Sequence, residues 1–250
     1  MPYVSLDLET TGLDPEVDEI IEVAAIRFDA DGVIDTFSTL VNPDRRLEYR
    51  ISLLTGINAD ELTGAPRFAS IAADIERFIG LDPIIGQNPT FDTTFLGRKG
   101  VQVYGPTYDT FDLAVLLLPA LTQRSLGGIA DHLGIEFHVR HRALADAEAA
   151  MRVFAALRKQ LVASHPDLLA EADRLSAASD WPLRHLFHEV ASEHPRSPGD
   201  SERPGIVHGF VRTPVGTDDP LVPSTRLVPT PPEEPARILT SNAARDALDG

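Results

Sequence analysis

The stretch YVSLDLET, residues 3–10, decides the fold. Every second residue from Val4 to Leu8 is apolar, and this period of two predicts a β-strand with one face in the core. The other face carries two carboxylates, Asp7 and Glu9. A strand near the start of an α/β domain is usually central and covered on both faces, so acids there need a cation or a water-filled cleft. An edge strand with a solvated face is the alternative that this pair alone leaves open.

Strand and helix patterns follow in an order typical of an α/β sandwich. Two further strand patterns are joined by a hairpin-type turn, and a short fourth one comes later; they span residues 20–28, 33–41 and 83–86. Apolar residues at 3–4 spacing and N-cap signals predict helices at about 68–79, from 89 onward, 110–118, 125–133, 143–164, 167–176 and 181–190. We therefore expect a mixed central sheet flanked by helices.

The composition changes sharply near residue 194. The segment 194–250 holds ten of the twenty prolines and no long apolar period, which predicts a mostly disordered tail or linker. A pair of shorter helices precedes it. We therefore divide the chain into a main domain, residues 1–164, an appended helical extension, residues 165–193, and the tail, residues 194–250.

The composition excludes several classes of protein. Hydrophobic residues make up 43% of the chain, enough for a real core. The absence of cysteine excludes disulfides, zinc–thiolate sites, iron–sulfur clusters and thiol nucleophiles. Because no run of eighteen apolar residues and no signal-peptide pattern is found, we expect a cytoplasmic protein with no membrane partner. Lys99 and Lys159 are the only lysines and neither belongs to a P-loop, which excludes an ATPase motor.

The charge balance limits how the chain could meet nucleic acid. The formal net charge is −16, of which the tail contributes −2, so residues 1–193 carry −14. This excludes a sequence-independent nucleic-acid coat, because phosphate binding is driven by cations. An enzyme that handles nucleic acid at one local site remains open. Its candidate phosphate contacts are Arg45, Arg46 and Arg50, the pair Arg98 and Lys99, or Arg140 and Arg142.

Two more acids lie on the apolar sides of predicted helices. Asp92 comes one turn after Asn88, the predicted N-cap, where a surface acid that complements the helix dipole is the alternative. Asp146 heads a buried stripe that continues through residues 150–157, a costly place for an unpaired acid. His141 falls in the loop just before this long helix, where a surface histidine is the alternative.

The four carboxylates together favour a metal site. Each close pair repels by about 1 kcal/mol in water and by ~4 kcal/mol at an effective dielectric constant of 20. Oxygen ligands select hard divalent cations, so we expect two Mg²⁺ or Mn²⁺ ions, which would activate a water and stabilise the leaving oxygen of a phosphodiester. Histidine is the side chain that most often serves as a general base, so His141 is suited to accept the proton of that water.

Three ordered motifs resemble those of the DnaQ-like (DEDDh) family of 3′–5′ exonucleases. They are DLETTGLD at residues 7–14, NPTFD at residues 88–92 and HRALADA at residues 141–147, over about the first 160 residues. The resemblance implies a ribonuclease H-like fold and metal-dependent removal of nucleotides from a 3′ end, which yields nucleoside 5′-monophosphates. In one place the match departs from many members, since Gln87 precedes the asparagine where they have histidine.

The resemblance also implies roles for single residues. Asp7, Glu9 and Asp146 would hold the metals, Asp92 would contribute directly or through water, and His141 would be the general base. His138 is a rival base whose spacing to Asp146 does not fit the family. Five further residues match family positions that lie near the terminal nucleotide of the substrate. Their alternative role is to form turns or to pack in the core. They are Thr10, Thr11, Leu13, Asn88 and Phe91.

The substrate and the partners are less sharply defined by these motifs. Proofreading epsilon subunits of replicative polymerases, exonuclease domains of DinG-type helicases and RNA-trimming enzymes share them. We favour single-stranded or 3′-frayed DNA in replication proofreading or repair, with RNA as the alternative. Residues 179–183 are similar to the region that joins exonuclease and helicase parts in DinG-type proteins, so a polymerase or a helicase module is the expected partner. A non-catalytic binding module, with residues 237–239 of the tail as a contact, is the second class of hypothesis.

Overall fold

The computed structural model describes residues 1–137 and 141–193 of this chain. The predicted tail and its contact motif at residues 237–239 lie outside the described residues. The same holds for His138, the rival base, and for Arg140, one of the candidate phosphate contacts.

Five strands form one mixed sheet. They are β1 (Tyr3–Thr10), β2 (Ile20–Asp29), β3 (Gly32–Leu40), β4 (Ile84–Gly86) and β5 (Thr107–Asp109), in the spatial order β3-β2-β1-β4-β5. The first three strands pair antiparallel, whereas β4 and β5 run parallel to β1. Strand β1 is therefore central, which excludes the edge-strand alternative and confirms the predicted mixed sheet.

Nine helices are found in the described part of the chain. They are α1 (Tyr49–Thr55), α2 (Ala59–Thr63), α3 (Phe68–Ile79), α4 (Pro89–Arg98), α5 (Thr110–Leu117), α6 (Leu126–His132), α7 (Ala143–Val162), α8 (Pro166–Ser176) and α9 (Arg184–Glu193). The predicted N-cap of α5 is confirmed, since the side chain of Asp109 accepts from Phe111 N, and the side chain of Ser125 caps α6 by accepting from Gly128 N. None of these helices has the length and apolarity that crossing a bilayer requires.

The two faces of β1 meet different layers, as the period of two requires. Val4, Leu6 and Leu8 are buried against α3 and α4, in a cluster that includes Ile75 and Phe95. The opposite face of β1 points to α7. The apolar side of the strand therefore builds the core, and the side with the carboxylates faces the long helix.

Small side chains let α7 approach the sheet closely. Ala24 on β2 and Ala143 and Ala147 on α7 have no exposed surface. Ser5 on β1 donates from its hydroxyl to the carbonyl of Ala147, at 2.7 Å between the oxygens. Because Asp146 precedes Ala147, this contact brings the carboxylate of Asp146 to the level of Asp7 on the strand.

The last two helices pack on the main core. Leu186, Phe187 and Val190 of α9 are buried in the same cluster as Phe154 and Leu157 of α7. The burial of several apolar side chains of α9 favours this packing. The appended extension thus contributes to the core of the domain it follows.

The predicted start of the last helix is wrong. We expected it at about residue 181, but regular helix begins at Arg184. The turn before it is closed by bonds of the i to i+3 type, from Arg184 N to the Trp181 carbonyl and from His185 N to the Pro182 carbonyl. An i to i+4 bond then runs from Phe187 N to the carbonyl of Leu183. The apolar period of the sequence does not distinguish such a tight turn from helix.

Candidate active site

Three carboxylates meet where β1 faces α7. One oxygen each from Asp7, Glu9 and Asp146 can be chosen so that all lie within 4.8 Å of one another. Strand β1 supplies two of them because residues two apart share a face, and the first turn of α7 supplies the third. All three side chains are half-buried. Such a set of oxygen donors suits a hard divalent cation, so the residues fit the expected metal.

Asp92 borders this group from the other edge of β1. Strand β4 ends at Gly86, so β1 runs on without a partner on that side. The backbone N–H of Leu8 is then satisfied by the carboxylate of Asp92, at 3.0 Å. Asp92 is only 4% exposed. Among the charges that raise the pKa of Asp7, that of Asp92 has the largest effect. It is a neighbour of Asp7 without belonging to the close group of three.

The pKa values of these acids show that their charges lack compensation by the protein. Burial raises the pKa of Asp7 well above its usual range, and repulsion from Asp92 and Asp146 adds to the effect. Burial raises the pKa of Glu9 to about 8, with further repulsion from Asp146 and Glu22. Burial alone raises the pKa of Asp92 to about 8. The site therefore takes up either protons or cations at neutral pH.

Asp146 is held by the backbone at the start of its own helix. Its Oδ2 accepts from the backbone N–H of Arg142, at 3.0 Å. Burial raises the pKa of Asp146, while the hydrogen bonds from the backbones of Arg142 and His141 and the charge of His141 oppose that rise. The anchoring aims the carboxylate at β1 in a fixed direction.

His141 lies in the loop directly before α7, as predicted from its spacing. Its side chain is exposed, and its backbone has φ of 60°, in the left-handed region. For a residue other than glycine this conformation costs about 1–3 kcal/mol and persists only where neighbouring contacts impose it. The structure thus places an exposed imidazole beside the acidic group.

Sequence reasoning missed one acid of this site, Glu22 on β2. Its side chain is 3% exposed and lies opposite Glu9 in the strand register. It accepts from the guanidinium of Arg142, at 3.0 Å from Nη2 and 3.1 Å from Nε, and from the backbone N–H of Ala143 at 3.0 Å. The signal was present, since Glu22 interrupts an otherwise apolar strand of residues 20–26.

The threonines of the first motif already have hydrogen-bond partners. The hydroxyl of Thr10 donates to the carbonyl of Gly12, at 2.6 Å, and that of Thr11 to the carboxylate of Asp18, at 3.0 Å. Leu13, two residues after Thr11, is 68% exposed. The turn role is thus visible for both threonines, and a contact of any of these residues with substrate stays a prediction.

The second motif begins differently from our expectation. Asn88 stands at the N-cap position of α4, but its side chain makes no cap hydrogen bond and its backbone is left-handed, with φ of 57°. Asparagine tolerates this conformation better than most residues. Phe91 is half-buried against Phe95, with ring centroids 4.8 Å apart. Gln87 accepts from the hydroxyl of Thr110, at 2.6 Å, and so ties the end of β4 to α5.

Most of the candidate phosphate contacts are engaged with carboxylates. Arg142 pairs with Glu22, as described, and the other pairs are Arg45–Asp18 at 3.9 Å, Arg50–Glu48 at 2.8 Å, Arg98–Glu16 at 2.7 Å and Lys99–Glu19 at 2.7 Å. Apart from Glu22, the residues of these pairs are exposed or half-buried. The four pairs without Glu22 therefore contribute little to stability, and their cationic side chains can leave the carboxylate to contact a ligand phosphate.

A groove of about 690 Å³ lies beside α1. Its lining includes Arg46, Tyr49 and Arg50, but none of the acids of the site. Tyr49 is 82% exposed. Within residues 1–137 and 141–193, no carboxylate lies within ion-pair distance of Arg46. The groove therefore combines an open aromatic ring with a guanidinium that has no counter-charge in the described chain.

The sequence of this chain is similar to those of known exonucleases. The family model RNase_T, whose description is exonuclease, matches residues 4–154. The chain is 36% identical over 159 residues to the DNA polymerase III subunit epsilon of Treponema pallidum, covering 61% of this chain and 74% of that one. It is also 36% identical over 152 residues to the PolC-type DNA polymerase III of Oceanobacillus iheyensis, covering 59% of this chain and 11% of the polymerase.

Solved structures agree with the fold. The zinc-bound complex of E. coli exonuclease I with single-stranded DNA superposes with a TM-score of 0.58 at 25% identity, covering 72% of this chain and 45% of that one. Exonuclease X in complex with 5′-overhanging duplex DNA gives a TM-score of 0.53 at 21% identity, over 63% of this chain and 90% of that one. The expected mixed sheet of the ribonuclease H-like type is thereby confirmed. The chain spans about a tenth of the PolC-type polymerases it matches.

Proposed function

The chain belongs to the RNase_T exonuclease family, and from this premise we propose that it is a metal-dependent 3′–5′ exonuclease that releases nucleoside 5′-monophosphates from DNA 3′ ends. The observation that carries the proposal is the convergence of Asp7, Glu9 and Asp146 within 4.8 Å. The similarity to DNA polymerase III components supports a role in replication proofreading or repair.

The acids divide the work of holding the cations. Asp7, Glu9 and Asp146 would ligate two Mg²⁺ or Mn²⁺ ions, and Asp92 would contribute from the side of Asp7, directly or through water. Such a pair of ions, when bound, activates a water and stabilises the leaving oxygen of a phosphodiester. The protein holds the three carboxylates in fixed orientations, because β1 positions two of them and the backbone N–H of Arg142 positions the third. The raised pKa values of Asp7 and Glu9 support this role, since a cation replaces the proton that each would otherwise hold.

His141 is the residue that we propose to accept the proton of the attacking water. It lies close to the acidic group, since contacts with His141 are among those that act on the pKa of Asp146. Its exposed side chain can swing toward a bound 3′ end and then release the proton to solvent.

The groove beside α1 is our proposed path for the nucleic-acid strand. An exposed ring such as that of Tyr49 can stack on a base, and guanidinium groups such as those of Arg46 and Arg50 can contact phosphates. The exonuclease I structure contains single-stranded DNA, which supports DNA as the substrate class. Short RNA is the alternative substrate, and the assay below includes it.

The test of the activity is hydrolysis of a 3′-labelled oligonucleotide with Mg²⁺ or Mn²⁺. Single-stranded DNA, mismatched duplex DNA and short RNA are compared, and DNA is expected to be cut fastest. Asp7→Ala and Asp146→Ala should each lose more activity than the roughly 10–100-fold that removal of an outer contact of a metal ligand costs. Asp31→Ala, at an exposed acid in the turn between β2 and β3, is the control. Full activity in both site variants would refute the proposal.

Binding without catalysis is the alternative for this fold. A scaffold of that kind would show neither hydrolysis nor stabilisation by cations. We expect a rise in melting temperature with Mn²⁺, since a ligand at 100 times its Kd adds about 2.7 kcal/mol to the folded state.

For the partner we favour a polymerase over a helicase module. The relatives described above are components of DNA polymerase III, and two of the PolC-type proteins are far longer than this chain. A pull-down of the full chain against a polymerase catalytic subunit and a DinG-type helicase distinguishes the two partners.

A further inference from the structure

Glu22 is a buried carboxylate that the proposed mechanism does not use. It belongs to β2, is 3% exposed and stands opposite Glu9 in the register. An acid in that place adds negative charge to a site that already holds too much, and it raises the pKa of Glu9 further. A fold that gained nothing from Glu22 would place an apolar residue there, as it does at Ala24 and Ile26 on the same face.

The contacts of Glu22 all go to the segment that precedes and starts α7. One carboxylate oxygen accepts from Arg142 Nη2 at 3.0 Å, and the other accepts from Arg142 Nε at 3.1 Å and from Ala143 N at 3.0 Å. The guanidinium fork and a free N–H of the first helical turn thus share one side chain. This fixes two consecutive residues to the central sheet.

The two functional residues beside these fixed positions, His141 before α7 and Asp146 in its first turn, depend on them. His141 directly precedes Arg142 and has a backbone conformation, φ of 60°, that requires support from its neighbours. Asp146 accepts from the backbone N–H of Arg142 at 3.0 Å. A shift of Arg142 would therefore move the imidazole and the carboxylate together.

We propose that Glu22 and Arg142 form a positioning clamp that holds His141 and Asp146 in register with Asp7 and Glu9. The clamp rests on the proposed function, since it orients that function's base and one of its ligands. Neither Glu22 nor Arg142 is a catalytic residue in this proposal. Arg142, which the sequence offers as a phosphate contact, acts through the residues on either side of it.

The experiment compares Glu22→Gln, Arg142→Gln and the double variant with the parent chain. Glutamine keeps the shape of the glutamate but removes its charge. We measure kcat per folded molecule at saturating Mn²⁺, the Kd of Mn²⁺ without substrate, and hydrogen exchange of residues 142–147. Each single variant should lose 10–100-fold in kcat or in Mn²⁺ affinity, and exchange at the Arg142 N–H should accelerate.

The double variant separates position from charge. Glu22 and Arg142 together are neutral, so removing both leaves the charge around the cations as it is in the parent. If the pair acts through charge alone, Glu22→Gln/Arg142→Gln behaves like the parent, and the clamp is refuted. If the pair positions His141 and Asp146, the double variant loses as much kcat or Mn²⁺ affinity as the single variants.

A matched control lies at the other end of the same helix. Arg158 of α7 pairs with Glu189 of α9, at 2.9 Å, far along the chain from the acidic site. Glu189→Gln should lower the melting temperature and leave kcat per folded molecule and the Kd of Mn²⁺ unchanged. A Glu22→Gln variant that follows this same pattern would reduce Glu22 to a stabilising residue and overturn the proposal. A parent chain inactive on every substrate would refute the proposed function, while the Mn²⁺ and exchange measurements still decide on the clamp.

Discussion

Single residues of the site carry opposite consequences for stability and for activity. Burial raises the pKa values of Asp7, Glu9 and Asp92, and repulsion from neighbouring acids adds to the rise at Asp7 and Glu9. Residues selected only for stability would not be arranged in this way, and such conflicts concentrate at functional sites. The acids should therefore weaken the metal-free fold that they make active.

Asp7→Asn should stabilise the metal-free protein at pH 8.5. Burial and repulsion from Asp92 and Asp146 raise the pKa of Asp7, so folding at this pH costs free energy that asparagine does not incur, and one pKa unit corresponds to about 1.4 kcal/mol. We expect a gain of about 1 kcal/mol or more in the free energy of unfolding, measured by urea denaturation with a chelator. Asp31→Asn, at an exposed turn, should change nothing. A loss of stability in Asp7→Asn would contradict the pKa direction.

The stability of the metal-free protein should fall as the pH rises from about 5 to about 8. Glu9 and Asp92 have folded-state pKa values of about 8, above their ordinary values of 4.5 and 3.8. Between those limits the folded state holds protons that the unfolded state has released, so each higher pH favours unfolding. Saturating Mn²⁺ should remove this slope, because the cation replaces the protons. Denaturation curves at five pH values, with chelator or with Mn²⁺, decide; a rise with pH under chelation would refute the expectation.

At the scale of elements, the sequence predicts the helices and strands that show a regular apolar period. It does not predict features that depend on contacts between residues far apart in the chain. The alternation of residues 4–8 predicted β1, and the stripe behind Asp146 predicted α7. Helices α1 and α2 each bury a single residue, so neither shows an apolar period, and β5 has only three residues, which pair with β4. Glu22 escaped for the same reason, since its partner Arg142 is 120 positions away.

The contact of α7 with the sheet sets how Asp146 reaches β1. Ala147→Leu should destabilise the protein by about 1–3 kcal/mol, because Ala147 has no exposed surface and lies against Ala24. The larger side chain should also push Asp146 away and weaken Mn²⁺ binding. Ala155→Leu, on the exposed side of α7, is the matched control. Equal denaturation midpoints for the two variants would show that α7 tolerates a wider separation.

At the scale of the molecule, the helices after residue 164 pack as part of the main core. Arg158 of α7 donates to the hydroxyl of Tyr3 on β1, at 3.0 Å, and pairs with Glu189 of α9. The hydroxyl of Tyr3 donates to the same glutamate. The composition change near residue 194 could be seen in the sequence, whereas this joint core could not, because its contacts connect β1 to residues more than 180 positions later.

Leu186→Ala should cost about 2–5 kcal/mol of unfolding free energy, as expected for a leucine with no exposed surface. Leu175→Ala, at a leucine of α8 that is 61% exposed, should stay within about 0.5 kcal/mol of the parent. A chain ending at residue 164 should likewise melt at a lower temperature. If it melted with the parent, residues 1–164 would fold independently of the extension.

The alternation of side chains along β1 limits how the sequence of this strand can change during evolution. Inserting or deleting a single codon within β1 would turn Asp7 and Glu9 toward α3 and α4 and direct Leu6 and Leu8 at the cations. A single substitution on the apolar face of this strand changes one contact, but a change of length by one exchanges the apolar and the charged layers together. Functional descendants should therefore keep Asp7 and Glu9, vary at other positions of β1, and almost never change its number of eight residues.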